Sequence, residues 1–383
     1  MSQHALQNAP AAGTTIFTVM SALAAQHNAI NLSQGFPDFP IDERLAALLH
    51  EAARGSFNQY APMAGLPMLR ESVAADLNKR YGLNINADND ITITPGATYG
   101  IYCAFASLLQ PGDEAIVLEP AYDSYIPNIE QHRAKAVCVP LTAPDFRVDW
   151  DRVRQAVSSK TKAIIINTPH NPTGAIWSAS DWDQLAALVE GTEISVISDE
   201  VYEQLVFDRQ RHYSVLQHPF LRERSFAVFS FGKVFNNTGW KLGYVVAPEA
   251  LTRSFRKIHQ YLAFSVNTPS QYAIAQYLRH PFLPNVGALM QGKRDYFLSL
   301  IKDLPFTVHQ PAAGSYFQTV GYEQISDLPD LEFAKWLTRE HGVATIPISS
   351  FYQDRKDDKL IRFCFAKKEE TLEAAVERLM RIC

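Results

Sequence analysis

The fold of this chain is decided by the stretch AIIINTPHNPTGAIWSASDWDQLAALVEGTEISVISDE, residues 163–200. Two of its runs, 163–167 and 194–198, are short and rich in β-branched residues, as buried strands are. Between them lies a segment of helix length, 180–190, for which Ser180 is the expected N-cap. A strand, a helix and a second strand in this order predict a parallel β-α-β unit.

Similar apolar runs on both sides of this unit extend the prediction to a larger sheet. They lie at 91–94, 115–118, 136–139, 226–230 and 242–246. Helix-length segments lie between several of the runs, for example at residues 97–109. The sequence therefore predicts an α/β fold whose main sheet is mixed but mostly parallel.

A change of pattern near residue 286 indicates a second domain. Beyond it the chain has helix–strand pairs with fewer consecutive strands, and 383 residues exceed the usual size of one hydrophobic core. We expect an N-terminal arm and part of the small domain at 1–44, a large domain at 45–285, and a small α+β C-terminal domain at 286–383.

Composition and charge exclude several classes of protein. The net charge of -5 and the lack of a long Lys/Arg run leave no surface for nucleic acid or anionic membrane. The apolar patch at 14–25 is too short to span a bilayer. The four cysteines lie far apart without a Cys-x-x-Cys pair, which favours reduced thiols. We expect a cytoplasmic protein without nucleic-acid, membrane or metal partners.

Polar residues after the predicted strands are the candidates for a site, because ligands bind at the carboxyl ends of strands in open α/β sheets. After 91–94, the amides of Ala97 and Thr98 and the Thr98 hydroxyl suit a phosphate, although a simple capped turn is the alternative. After 163–167, two prolines and a glycine fix the direction of Asn171, whose amide can donate to a ligand oxygen. An ordinary turn explains those residues equally well.

The next two strands are followed by an aspartate and a lysine. Asp199 could keep a heterocyclic nitrogen protonated, with Tyr202 facing the same pocket, or it could cap a helix. Lys233 lies in an apolar stretch, where an amine loses basicity and becomes a nucleophile toward carbonyls. Ser230 and Lys241 on either side are possible anion ligands. In isolation, an exposed surface charge explains Lys233 as well.

A late arginine completes the set of candidates. Arg362 lies among apolar residues on a predicted strand, where an unpaired guanidinium would be costly, so we expect it to face a carboxylate. That carboxylate belongs to a substrate or, alternatively, to an internal salt bridge. A phosphate loop, an oriented Asn, an Asp with a Tyr, a Lys and a late Arg are together what transamination with pyridoxal 5'-phosphate (PLP) needs.

The sequence resembles the class I aminotransferases of PLP fold type I, in the branch of kynurenine aminotransferase, glutamine transaminase K and bacterial methionine aminotransferase. The phrases that carry the resemblance are NLSQGFPDFP, NQYAPMAGLPMLRES, TPGATYG, NTPHNPTG, SDEVYE, SFGKVFNNTGWKLGY and IRFCFAKKEE. They extend from about residue 13 to the end of the chain. The resemblance implies a large domain with a mixed sheet, a smaller C-terminal domain, PLP as cofactor and a homodimer with shared active sites.

The resemblance also implies a role for each candidate residue. Lys233 would hold PLP as a Schiff base and act in catalysis. Asp199 would contact the pyridine nitrogen of the cofactor, and Tyr202 and Asn171 its phenolic oxygen. Tyr122 would stack on the ring. The phosphate would be held by Ala97, Thr98, Ser230, Lys241 and the second subunit's Tyr60. Arg362 would bind the substrate carboxylate, helped by Asn171 and the backbone of Gly35. One departure is Lys241, where many family members have Arg, which keeps the charge but not the fork geometry.

The resemblance also bears on the substrate class. Dicarboxylate-specific relatives use a second arginine for the distal carboxylate, and the segment expected to align with it, residues 261–267 (YLAFSVN), contains no cation. We therefore expect neutral amino donors, with methionine, aromatic or glutamine-like side chains preferred, and 2-oxo acids as acceptors. The aromatic candidates for the side-chain pocket are Phe36, Tyr60, Tyr99 and Phe264. The alternatives are a cysteine-conjugate β-lyase on the same scaffold and a non-catalytic regulator with the PLP fold.

Overall fold

The computed structural model describes residues 13–382, which form a seven-stranded sheet, a three-stranded sheet and a two-stranded pair. The strands are β1 (Ile30–Asn31), β2 (Ile91–Thr94), β3 (Glu114–Glu119), β4 (Lys135–Pro140), β5 (Thr161–Asn167), β6 (Ser195–Asp199), β7 (Ser225–Ser230), β8 (Gly243–Val246), β9 (Phe317–Gly321), β10 (Val343–Ala344), β11 (Ile346–Pro347) and β12 (Leu360–Cys364).

The α-helices lie between these strands and around them. They are α1 (Ile16–Gln26), α2 (Glu43–Arg54), α3 (Pro67–Tyr81), α4 (Ala97–Leu108), α5 (Tyr125–Gln131), α6 (Trp150–Ala156), α7 (Ala179–Val189), α8 (Pro219–Arg222), α9 (Phe231–Val234), α10 (Glu249–Leu262), α11 (Thr268–Leu278), α12 (Val286–Ile301), α13 (Asp330–Glu340) and α14 (Glu369–Leu379). Short 3₁₀ segments lie at Val215–Gln217, Thr238–Trp240, Ile348–Phe351 and Met380–Ile382.

The seven-stranded sheet has the order β2-β8-β7-β6-β5-β3-β4. Strands β3 to β7 run parallel, whereas β8 is antiparallel to both of its neighbours. Ile164 and Ile166 of β5 pack into one hydrophobic core and Ile165 into another, because successive side chains of a strand point to opposite faces. The prediction of a mixed, mostly parallel α/β sheet is confirmed.

The start of α7 differs from the prediction. Ser178, not Ser180, is the N-cap: its hydroxyl accepts from the Asp181 amide at 3.3 Å, and Asp181 Oδ2 accepts from the Ser178 amide at 2.8 Å. This reciprocal capping box satisfies two amides at once. Ser180 has the same spacing to Asp183, so the spacing alone does not distinguish the two serines. The Ser-x-x-Asp spacing at 178–181 is visible in the sequence.

The smaller sheets bring the two ends of the chain together. Strand β1 pairs with β10, and α1 packs on α13, so the N-terminal segment joins the C-terminal part of the chain. Strand β12 lies between β11 and β9 in the three-stranded sheet. Helix α2, which begins at Glu43, packs instead on α11. The limits 1–44, 45–285 and 286–383 stay a prediction; residues 1–12 and Cys383 lie outside the described residues.

Several strands end in polar residues at one edge of the large sheet. Asn167, Asp199 and Ser230 are the last residues of β5, β6 and β7. Because these strands are parallel, their carboxyl ends meet at the same edge. None of the helices within residues 13–382 is both long and apolar enough to cross a membrane. Cys103, Cys138 and Cys364 are free thiols.

Candidate active site

A cavity of about 330 Å³ lies at this edge of the sheet. The large sheet lines it with Asn167, Asp199 and Ser230, and the three-stranded sheet with Phe317 and Arg362. All the predicted site residues except Tyr60 line it: Gly35, Ala97, Thr98, Tyr122, Asn171, Asp199, Tyr202, Ser230, Lys233, Lys241 and Arg362. Residues that are far apart in the sequence thus form one site.

Lys233 lies in α9, the single helical turn that follows β7. Its Nζ donates to the Gly35 carbonyl at 2.8 Å and lies 5.6 Å from the centroids of the Tyr202 and Tyr316 rings. The Tyr316 hydroxyl donates to the Lys233 carbonyl and fixes this turn. Burial lowers the pKa of the Lys233 amine to about 8, and the positive charge of Arg362 acts in the same direction. Near neutral pH the uncharged, nucleophilic form of this amine is therefore far more populated than that of an exposed lysine.

Asp199 ends β6 with its carboxylate buried in the cavity wall. Burial raises its pKa to about 6, although the Tyr125 hydroxyl, which donates to Oδ2 at 2.5 Å, acts in the opposite direction. The Val201 amide donates to Oδ1 at 3.3 Å. No helix follows Asp199, so the helix-cap interpretation is wrong. A buried carboxylate that lacks an ion pair within the described part of the chain favours a cationic ligand.

Tyr125 is a residue of the site that the sequence analysis missed. The segment EPAYDSY, 119–125, contains two tyrosines, and only Tyr122 was selected. Both tyrosines line the cavity: Tyr122 forms a hydrogen bond with the Thr98 hydroxyl, while Tyr125 is buried and its hydroxyl donates to Asp199. The three-residue spacing of the tyrosines does not reveal which of them reaches the aspartate.

The N-terminus of α4 forms the anion-binding end of the cavity. Gly96, with a φ of 87°, is the N-cap and no side chain caps the helix, so the alternative of a turn capped by Thr98 is wrong. A Cβ added at Gly96 would lie 3.3 Å from Lys241 Nζ, which places that ammonium beside the first amides of the helix. Ser230 and Thr238, the latter not predicted, line the same end. Uncapped amides and a cation are a suitable site for a phosphate.

Arg362 also lines the cavity and is completely buried. Its Nη1 donates to Asn171 Oδ1 at 2.7 Å and its Nη2 to the Ser33 carbonyl at 2.6 Å, while its Nε has no partner within residues 13–382. Burial lowers its pKa to about 10. The guanidinium carbon lies 3.8 Å from the centroid of the Phe317 ring. The salt-bridge alternative fails, since no described carboxylate pairs with it.

Asn171 is oriented by its neighbour at the end of β5. The Asn171 amide donates to Asn167 Oδ1 at 2.8 Å, and Asn167 Nδ2 donates to the Asp199 carbonyl at 2.9 Å. The chain from Asp199 through Asn167 and Asn171 to Arg362 is thus a continuous hydrogen-bonded path. This path fixes the distance between the aspartate end and the arginine end of the cavity.

Tyr60 is the one predicted site residue outside the cavity. Its side chain is 83% exposed and packs edge-on against Phe264, with the ring centroids 5.5 Å apart. Of the four aromatic candidates for the side-chain pocket, only Phe36 lines the cavity. The Tyr99 hydroxyl instead bonds His259 Nδ1 at 2.9 Å. Within one chain, Tyr60, Tyr99 and Phe264 are therefore not part of the site.

The residues fit PLP at each of its polar groups. The uncapped amides of α4 and the Lys241 ammonium suit the phosphate, and the unpaired Asp199 carboxylate suits a protonated ring nitrogen. Lys233, whose amine has a lowered pKa, suits the aldehyde. Arg362 and its free Nε then remain for a carboxylate of the substrate.

The chain matches known proteins over most of its length. The family model described as "Aminotransferase class I and II" matches residues 27–379. A methionine aminotransferase of Escherichia coli (strain K12) is 49% identical over 382 residues, with 97% of each chain covered. Human kynurenine--oxoglutarate transaminase 1 is 31% identical, and the alignment covers 94% of this chain and 93% of the human protein. A crystal structure from E. coli, reported with a methionine aminotransferase function, superposes with a TM-score of 0.95 at 48% identity and 98% coverage of both chains.

Proposed function

Because the chain belongs to the class I and II aminotransferases, we propose that it transfers the amino group of methionine or an aromatic amino acid to a 2-oxo acid. The chain is a PLP-dependent enzyme that exchanges amino groups between amino acids and 2-oxo acids. The observation that carries the proposal is the buried Arg362 guanidinium, which has no carboxylate partner in the described chain and lies in the same cavity as Lys233.

The proposed roles divide the cavity into three parts. Ala97, Thr98, Ser230 and Lys241 hold the phosphate, and Asp199, supported by Tyr125, holds the ring nitrogen in its protonated form. Tyr122 covers one face of the ring, and Tyr202 and Asn171 bind its phenolic oxygen. Arg362, with Asn171 and the Gly35 backbone, binds the substrate carboxylate through a charge-assisted pair.

The chemistry is shared between the cofactor and this chain. When bound, PLP supplies an electron sink for the negative charge that develops at the substrate Cα. In each half of the reaction Lys233 would move one proton between the substrate Cα and the C4′ carbon of the cofactor, first as a base and then as an acid, and its lowered pKa of about 8 suits both roles. Phe317, stacked on Arg362, excludes water from the carboxylate pair and so strengthens it.

The preference for a neutral side chain is supported by the charges of the cavity. The cationic residues among its described lining are Lys233, Lys241 and Arg362, and each already has a role. No lining cation remains for a second substrate carboxylate. The similarity to methionine aminotransferase and to kynurenine--oxoglutarate transaminase supports donors with a sulfur-containing or aromatic side chain.

The enzyme is further proposed to act as a homodimer with shared active sites. Tyr60, Tyr261, Leu262 and Phe264 are all more than half exposed, and such a group of exposed large apolar side chains is typical of an interface. In the dimer, Tyr60 reaches the phosphate of the partner's cofactor. Sedimentation of the wild-type enzyme should give twice the 42.9 kDa chain mass, and Tyr60→Phe should weaken PLP binding. A monomer with full activity would contradict the shared site.

The function is tested with a panel of amino acids and two acceptors. Purified enzyme loaded with PLP is mixed with each amino acid and pyruvate or 2-oxoglutarate, and the new amino acid is measured by chromatography. Methionine and the aromatic amino acids should give the highest kcat/KM, and aspartate the lowest. A preference for dicarboxylic donors would refute the proposed substrate class.

The two alternatives are not supported. Neither the relatives nor the family description points to a cysteine-conjugate β-lyase or to a regulator without activity. Location in the cytoplasm is part of the proposal, and cell fractionation followed by immunoblotting tests it.

A further inference from the structure

Lys367 is a buried lysine that the proposed function does not use. It lies just beyond β12, and its side chain is 3% exposed. Its Nζ donates to the Phe36 carbonyl at 2.7 Å and lies 4.8 Å from the centroid of the Phe36 ring. No carboxylate within residues 13–382 forms an ion pair with this ammonium. Since burying a charge without an ion pair is costly, the contact with Phe36 needs an explanation.

Phe36 lies where the side chain of a substrate must extend. It lines the catalytic cavity and is 45% exposed. The preceding residue, Gly35, accepts the Lys233 Nζ hydrogen bond at 2.8 Å. In the proposed function Lys233 acts at the substrate Cα and Arg362 holds the carboxylate. The ring next to Gly35 is therefore close to the third group on that carbon, the side chain.

The segment that carries Phe36 is attached along its length to the segment that carries Arg362. The Cys364 amide donates to the Leu32 carbonyl at 2.8 Å, and Arg362 Nη2 donates to the Ser33 carbonyl at 2.6 Å. Beyond Phe36, Asp38 accepts from the Lys368 amide at 2.6 Å. Lys367 is the attachment in the middle, and it also contacts the Phe36 ring, which lines the cavity.

We propose that Lys367 is a positioning residue that holds Phe36 against the substrate side chain, so that residues 362–367 orient both ends of the substrate. The hydrogen bond fixes the Phe36 backbone, and the cation over its ring fixes the ring. Lys367 touches no reacting atom. Its effect is therefore on discrimination between side chains, not on the proton transfer by Lys233. This inference rests on the proposed function and names the residues that set its substrate preference.

The test compares donors of different side-chain length in Lys367→Met, which keeps the stem of the side chain and removes the ammonium. We expect the KM for methionine to rise about tenfold, a change that corresponds to about 1.4 kcal/mol. The kcat for methionine and the KM for alanine, whose methyl group does not extend to Phe36, should stay within about twofold. Lys368→Met is the matched control, since the Lys368 side chain is exposed. Lys367→Arg, which keeps a cationic donor, should restore most of the methionine KM.

A double-mutant cycle with Phe36→Ala separates positioning from a general structural effect. Because Lys367 acts through the ring, Lys367→Met should change the methionine KM little when Phe36 is already alanine. Equal losses for methionine and alanine, independent effects in the cycle, or a Lys367→Met enzyme like Lys368→Met would each overturn the inference. PLP binding by Lys367→Met is measured by its visible absorbance. If this variant binds no PLP, the KM values of Phe36→Ala and Lys367→Arg for methionine and alanine decide between these outcomes. If the wild-type enzyme prefers another large neutral donor, only the choice of methionine as the preferred donor is refuted. The same comparison of variants is then made with that donor.

Discussion

The Tyr125 hydroxyl should decide over which pH range the enzyme binds its cofactor. It donates to Asp199 Oδ2 at 2.5 Å, in a fully buried environment. Burial raises the Asp199 pKa to about 6, and the tyrosine keeps it from rising further. The ionised carboxylate is the form that pairs with a protonated ring nitrogen. Tyr125→Phe removes the donor and keeps the ring.

The size of the effect follows from the hydrogen bond. A hydrogen bond to a charged group contributes on the order of 1.5–3 kcal/mol, and one pKa unit corresponds to about 1.36 kcal/mol. The variant should therefore raise the Asp199 pKa by about one unit or more. At pH values around 6 to 7 the carboxylate then becomes mostly protonated, whereas at pH 8 it is still largely ionised. For a shift of one to two units, the ionised fraction of Asp199 and with it the PLP affinity should fall by about 3-fold to 25-fold near pH 6.5, and by no more than about twofold at pH 8.

The measurement is a PLP titration of the apoenzyme, followed by absorbance at a series of pH values. Wild-type affinity should weaken as the pH falls through about 6, and the variant should show the same fall at higher pH. Tyr102→Phe, a tyrosine in α4 that does not line the cavity, is the matched control. If the curves of Tyr125→Phe and wild type coincide over the whole range, the role of Tyr125 in setting the charge of Asp199 is refuted.

Three further predictions concern other parts of the molecule. Lys233→Ala should abolish transamination and the absorbance band of covalently held cofactor while leaving the circular dichroism spectrum unchanged. Wild-type turnover in this variant would contradict the assignment of Lys233 as the residue that holds the cofactor. Arg362→Lys should raise the KM of every amino donor by about a hundredfold, because a lysine cannot form two parallel hydrogen bonds to the carboxylate; equal KM values in steady-state kinetics would exclude that role. Ser178→Ala should lower the free energy of unfolding by about 1 kcal/mol in urea denaturation, whereas Ser180→Ala should change it by less than about 0.5 kcal/mol.

The strands and most of the site could be predicted because the relevant signals are local. A buried parallel strand must be a continuous apolar run, and the residue after it lies at the ligand-binding edge. Asn171, Asp199 and Lys233 were selected on that basis, and all three line the cavity. The N-cap of α7 was wrong by two residues because Ser178 and Ser180 are both suitable caps, and only the reciprocal bond with Asp181 distinguishes them.

The parts that could not be predicted depend on contacts between distant segments. The spacing of Tyr125 and Tyr122 is consistent with either of them reaching Asp199, and the fold decides that Tyr125 does. The stacking of Phe317 on Arg362 joins two neighbouring strands of the smaller sheet. Tyr60 is not brought to the cavity by one chain at all, so its proposed role needs a second subunit.

The sequence by itself determined the α/β class and the candidate residues at the strand ends, because strand periodicity and turn residues act over a few neighbouring positions. The family followed from the resemblance of its motifs. Only the tertiary structure decided which groups are left unpaired once the chain is folded. Within residues 13–382, burial and long-range packing leave Arg362 without an ion pair to a carboxylate and Asp199 without an ion pair to a cation, and they place Lys367 against Phe36. Burial is what makes an unpaired charge costly, and it depends on the whole fold.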